Sequence, residues 1–190
     1  MSVRTTDTKE EILRLGKQLI QSMGFNAFSY ADISKQLNIK NAAVHYHFPG
    51  KQDLLSGLLD NYIQYYTDLG SQLNNAKISS MKKLEQFIAP YSQLVDCSSI
   101  CIIGSVASDY NTLPEMVKVK ILGLINLVIG LVEQTLKEGK NKGELSFEEP
   151  ARVQALLIMT NLAAGVQLAR ITGKKDFDAI RKALLKQLKP

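Results

Sequence analysis

The chain has 190 residues, 45% hydrophobic and 22% charged, with 23 Lys and Arg against 18 Asp and Glu and a net charge of +5. That composition suits a globular protein with a buried core, and no run approaches the ~18 uninterrupted apolar residues of a membrane span. Two cysteines make no disulfide framework, and the opening MSVRTTDTKEE holds no apolar signal run, so a cytoplasmic location without membrane association is expected.

The positive charge is unevenly placed. Residues 1–51 hold seven Lys and Arg against four Asp and Glu, with both histidines; residues 52–190 hold sixteen against fourteen. A small polyanion-binding module needs this bias, although solvated faces show it too.

Helix signals dominate and convincing strand runs are lacking, so an all-α fold of roughly nine helices is expected. Thr8 or Asp7 would cap the first helix, with Glu10 and Glu11 in its first turn. Ile12, Leu15, Leu19 and Ile20 make its apolar stripe, and Gly24 stops it. Phe25 and Phe28 plug a small core. Ser29 with Asp32 forms a capping-box pattern for a second helix that buries Ile33 and Leu37. Asn38 takes the turn, since Asn tolerates positive φ. Lys40 or Asn41 opens a third helix, with Val44 and Phe48 pointing inward, and Pro49-Gly50 ends it. Two short helices joined by a tight turn are a helix-turn-helix, whose second member enters the major groove of duplex DNA.

A long helix from Lys51 to about Ala76 follows, then a polar break over 74–80. The next helix, from Met81 to about Val95, contains Pro90 as a kink or an early end. Residues 96–113 read as a short helix capped by Asp96 or Ser98, on which Cys97 and Cys101 would share a face. Pro114 suits the first turn of a helix to about Lys137, whose middle is apolar nearly all round and should be buried from several sides. Glu149-Pro150 opens a helix to about Ile171, and Phe177–Leu188 forms the last. The division is a helix-turn-helix domain over 1–51 and a helical regulatory and dimerisation domain over 52–190, coupled through the long fourth helix.

The segment Ser29–Leu55, with the preceding Glu11–Phe28, resembles the DNA-binding domain of the TetR family of transcriptional regulators. Ser29, Ile33, Ile39, His47, Phe48, Lys51 and Leu54 match that family's pattern in type and spacing. Asn38 stands at its turn Gly, His45 at the usual Tyr with Tyr46 after it, and Ala31 where many members carry a base-reading Arg. The resemblance implies a homodimeric regulator, by default a repressor, released from a palindromic operator when a small apolar effector, or thiol modification, acts on the C-terminal domain.

Ser29 and Tyr30, at a helix N-terminus, are the expected phosphate contacts, and Lys51 resembles the family's phosphate-binding lysine. Lys40 and Asn41 sit where side chains reach base edges; Asn pairs with adenine, and Ala42 or Ala43 can meet a thymine methyl. His45 and Tyr46 reach backbone and bases from the next turn. His47 reads equally well as a packing histidine. The last two helices supply the expected dimer surface through Leu157, Asn161, Ala164, Gly165, Leu168 and Ile171. An effector pocket would draw on Tyr62, Tyr65, Tyr66, Tyr91, Val106, Tyr110, Ile121, Ile125 and Met159, which also suit plain core. Cys97 and Cys101 read first as packing residues; the segment around Cys101 resembles a TetR subgroup that senses electrophiles or oxidants there.

No nucleophile–base set, phosphate-cradling Gly loop or metal-ligand cluster stands out, so neither an enzyme nor a cofactor is expected. The rival to the DNA-binding reading is an all-helical protein–protein interaction module.

Overall fold

A computed structural model describes residues 3–190, with side chains from Asp7 onward. Among these residues the chain is helical throughout, without strands: α1 (Val3–Met23), α2 (Tyr30–Leu37), α3 (Asn41–His47), α4 (Lys51–Asn75), α5 (Ser80–Asp96), α6 (Ile102–Val106), a 3₁₀ segment (Ala107–Thr112), α7 (Glu115–Asn141), α8 (Ala151–Thr172) and α9 (Lys174–Gln187). Two compact units emerge, one of Met1–Tyr62 with Ile102–Leu122, the other of Ile63–Cys101 with Gly123–Pro190.

In the first unit, α1 buries Ile12, Leu15, Leu19 and Ile20. The helix begins at Val3, so Thr8 and Asp7 lie inside it rather than capping it, and Glu10 and Glu11 are beyond its first turn. Gly24, at φ 98°, ends it, its N–H returning to Ile20 O at 2.9 Å; only glycine adopts that backbone freely. The loop that follows sends Phe25 and Phe28 inward. Ser105 on α6 donates its buried hydroxyl to the Ile20 carbonyl at 3.1 Å, satisfying a carbonyl of α1's last turn.

In the second unit α5 continues through Pro90 to Asp96 and is not ended by it. Lys83, only 3% exposed, donates to both Glu138 oxygens at 3.1 and 2.8 Å, and Lys142 meets the same carboxylate at 2.6 Å. Glu144 accepts the Ser80 N–H at 2.6 Å, capping α5 from the loop that follows α7. Both carboxyls are held below the usual glutamate range, Glu138 by Lys142 and then Lys83, Glu144 by the Ser80 backbone N–H.

The middle of α7 is not buried all round. Met116, Val119 and Leu122 stand exposed, and the buried stripe is Val117, Ile121, Leu124, Val128, Val132 and Leu136. Helix α8 is long and apolar enough, by length and composition, to cross a membrane. It instead divides its apolar residues between an inner face (Ala155, Ile158, Leu162, Val166, Ala169) and an exposed stripe. Gly165 belongs to the inner face: a Cβ there would stand 3.3 Å from the Phe177 ring of α9, so the glycine permits a close approach within the chain rather than at a surface between chains.

Candidate nucleic-acid interface

The Asp32 carboxylate accepts the Ser29 backbone N–H at 2.7 Å and its hydroxyl at 2.8 Å, fixing where α2 starts and holding the acid below its usual range. At the other end Asn38 adopts φ 52°, ψ 45°, and the Ile39 N–H reaches back to Ser34 O at 3.0 Å. That left-handed residue turns the chain so that Lys40, extended, precedes α3.

Two inward residues pin α3: Val44, fully buried, and Phe48, its C-cap. With 100° between successive residues, Asn41, His45, Ala42 and Tyr46 fall within one arc of about 140° that excludes Val44, and all four are exposed, Tyr46 at 79%. Ala43 and His47 lie on the flank and are half-buried. His47 packs edge-on against Tyr46 at 5.1 Å between centroids.

Tyr30 departs from expectation. Its side chain is buried, its hydroxyl has no hydrogen-bond partner, and its ring meets His45 edge-on at 4.8 Å. Burial first, and Asp53 second, push its phenol far above the usual tyrosine range. A phenol so placed packs α2 against α3 and does not reach a phosphate; the first turn of α2 can offer only backbone N–H groups at this position.

Lys51 is neither free nor fully solvated. Its ammonium donates to Phe28 O at 2.8 Å and lies 4.2 Å from the Phe28 ring centre and 5.0 Å from that of Phe25. Desolvation lowers its pKa, with Asp109 and Asp32 opposing. Two further residues were missed from the sequence. Lys9 of α1 stands 5.8 Å from the Phe48 ring, bringing a cation to the end of α3. Asp53 accepts the Gly50 N–H at 2.8 Å and caps α4, a Gly-Lys-x-Asp signal that was legible in kind.

The residues named for an effector pocket divide between the units. In the first, Val106 and Ile121 are buried core, Tyr110 is exposed, and half-buried Tyr62 accepts from Gln21 at 3.1 Å. In the second, Tyr65 is exposed and Ile125 half-buried, while Tyr66, Tyr91 and Met159 come together: the Tyr91 hydroxyl stands 3.9 Å from the Met159 sulfur and bonds Tyr66. Phe87, which sequence reasoning passed over, lies between the two tyrosine rings at 6.2 and 6.0 Å. Burial pushes the Tyr66 phenol up to about 12.

The cysteines do not share a helix face. Cys97, exposed, is the C-cap of α5; Ser98 follows at φ 51°, and Cys101, half-buried, precedes α6. On α8, Leu157, Asn161, Ala164, Leu168 and Ile171 are all exposed, Ile171 at 86%, and their alternating four- and three-residue spacing is that of a coiled-coil seam.

A family model described as bacterial regulatory proteins, tetR family, matches residues 12–58, the span from α1 into α4. The biofilm operon icaADBC HTH-type negative transcriptional regulator IcaR of Staphylococcus epidermidis is 26% identical over 110 residues, 58% of this chain and 59% of that protein. The chain therefore matches about three-fifths of that relative's length. A TetR-family transcriptional regulator from Agrobacterium tumefaciens superposes with a TM-score of 0.90 at 27% identity, covering 98% of this chain and 100% of that one. A TetR transcriptional regulator from Legionella pneumophila does so at 0.84 and 29%, covering 95% and 97%. The match centred on the helix-turn-helix and the fold shared along nearly the whole length make the chain similar, from end to end, to TetR-family transcriptional regulators.

Proposed function

We propose that the chain acts in the cytoplasm as a dimeric repressor that binds a palindromic DNA operator. The observation that carries this reading is the exposed face of α3, with Asn41, Ala42, His45 and Tyr46 outward while Val44 and Phe48 anchor the helix. Asn41 would pair with adenine, Ala42 with a thymine methyl, and Lys40 would enter the groove beside them. Ser29, the backbone N–H groups of α2's first turn and the donors of Lys51 not used by Phe28 would hold phosphates. In functional terms residues 1–51 form the DNA-binding module and 52–190 the regulatory and dimerising part.

A single reading helix of this size binds weakly, because most of its affinity comes from phosphate neutralisation that salt erodes. Pairing two chains along Leu157, Asn161, Ala164, Leu168 and Ile171 would present two such helices ~34–36 Å apart. A small apolar effector is assigned to the second unit near Tyr66, Tyr91 and Met159, where aromatic surface and two hydroxyls converge. Its binding would favour a dimer whose spacing no longer fits the operator. No structural observation favours the thiol route over this one.

The test is electrophoretic mobility of the DNA upstream of the chain's own reading frame, with wild type, Tyr46→Ala and Lys51→Ala. Loss of the shifted band in both variants is expected, and equal retardation by all three proteins would sink the assignment.

A further inference from the structure

Two contacts fix the imidazole of His45. Its Nδ1 lies 3.1 Å from the Pro49 carbonyl oxygen. A carbonyl only accepts, so Nδ1 carries the hydrogen, and in the neutral ring Nε2 is then a bare acceptor. The ring also stands edge-on to Tyr30, 4.8 Å between centroids, and Tyr30 is itself buried. Exposed on the same face as Asn41, Ala42 and Tyr46, His45 leans on the first residue of α2. In a helix-turn-helix that helix crosses the phosphate backbone while the next enters the groove. A bare nitrogen repels a phosphate oxygen; the protonated ring donates a charge-assisted hydrogen bond to it.

We propose that His45 contacts a backbone phosphate as the imidazolium, so that DNA affinity rises as pH falls. The inference rests on the DNA-binding reading above. The charged and titratable groups facing it from the elements packed around it are Lys9 on α1, Tyr30, Asp32 and Lys35 on α2, Lys51 and Asp53 at the start of α4, and Lys40, Tyr46 and His47 at or on its own helix. Tyr30 stays uncharged, because burial keeps its phenol protonated. His47 carries the one other imidazole in the sequence and serves as the control.

The experiment measures affinity of the full chain for a labelled mixed-sequence duplex at fixed salt, at about pH 8 and about pH 6, the interval in which imidazoles change charge. Wild type should gain about tenfold per half-site more than His45→Ala over that interval, the scale of one charge-assisted hydrogen bond. His45→Gln keeps a neutral N–H donor at either pH, so it should bind with the shallow slope of the alanine variant. His47→Ala should keep the wild-type slope. A wild-type slope retained by His45→Ala or His45→Gln overturns the inference. So does affinity that rises with pH, the signature of a neutral ring accepting from a base amino group. If wild type binds no duplex at either pH, the DNA-binding reading itself falls and this inference with it, an outcome distinct from a lost slope.

Discussion

The ammonium of Lys51 donates to the carbonyl of Phe28 across 2.8 Å and covers that residue's ring, so the first residue of α4 is tied to the loop between α1 and α2. The contact orients the start of α4 and keeps a cation beside Ser29, where α2 begins. Lys51→Met should therefore do two things at once. Stability in urea should fall by about 1.5 kcal/mol, the low end for a part-buried hydrogen bond from a charged donor, because methionine keeps the stem packing. Duplex affinity should fall further than that loss of fold explains, with a shallower salt dependence. A variant that weakens neither would show the tie to be incidental.

Asn38 holds the turn at φ 52°. Glycine adopts that backbone at no steric cost, whereas a β-branched side chain meets its own carbonyl there. Asn38→Gly is expected to leave the urea midpoint nearly unchanged, and Asn38→Val to lower stability by about 1–2 kcal/mol. Equal midpoints would mean that the turn is not under the constraint its φ implies.

Acid should loosen the second unit. Glu138 and Glu144 both sit below the ordinary glutamate range in the fold, held by Lys142 with Lys83 and by the Ser80 N–H. Groups with a depressed folded pKa contribute stability that is complete above the unfolded value, about 4.3 for Glu, and that drains away as pH falls toward the folded one. The melting temperature is expected to be flat near neutrality and to drop below about pH 4.5. Glu138→Gln should flatten part of that drop. At neutral pH it should cost about 3 kcal/mol, because Lys83, only 3% exposed, loses its counter-charge. A wild-type acid profile in the Gln variant would contradict the assignment.

Charge placed on the α8 stripe should separate chains without unfolding them. Leu168 is 46% exposed, so Leu168→Glu costs the monomer little, yet it puts two carboxylates in one apolar seam. Sedimentation should show dimer for wild type and monomer for the variant, with the helical circular dichroism spectrum retained. A variant that stays dimeric would move the seam elsewhere.

Much of the DNA-binding module was legible in the sequence because its signals are local. Ser29 with Asp32, Asn38 at the turn, and Val44 and Phe48 at inward positions each act within four residues of their partner, and all appear where the pattern placed them. Contacts made by distant parts of the chain were not legible. Nothing near Lys51 in sequence announces Phe28, nothing near Tyr30 announces its burial against His45, and Gly165 read as a surface residue until Phe177 was seen against it. Propensity misled at two positions. Thr8 has the chemistry of a cap but lies inside a helix that begins at Val3, and Pro90 is carried within α5 rather than ending it. Of the nine residues named for an effector pocket, Tyr66, Tyr91 and Met159 are joined by hydrogen bonds, because hydropathy marks what is buried and not which buried residues meet.

Two copies of the α3 face are proposed to read a palindrome. Selection of bound duplexes from a randomised pool by the full chain, followed by sequencing, tests it most directly. The expected result is enrichment of an inverted repeat whose half-sites lie one helical turn apart, about 10 base pairs centre to centre or a multiple of that, and loss of the repeat for Asn41→Ala combined with Tyr46→Ala. Recovery of the same repeat by that double variant, or no enriched sequence for wild type, would contradict it.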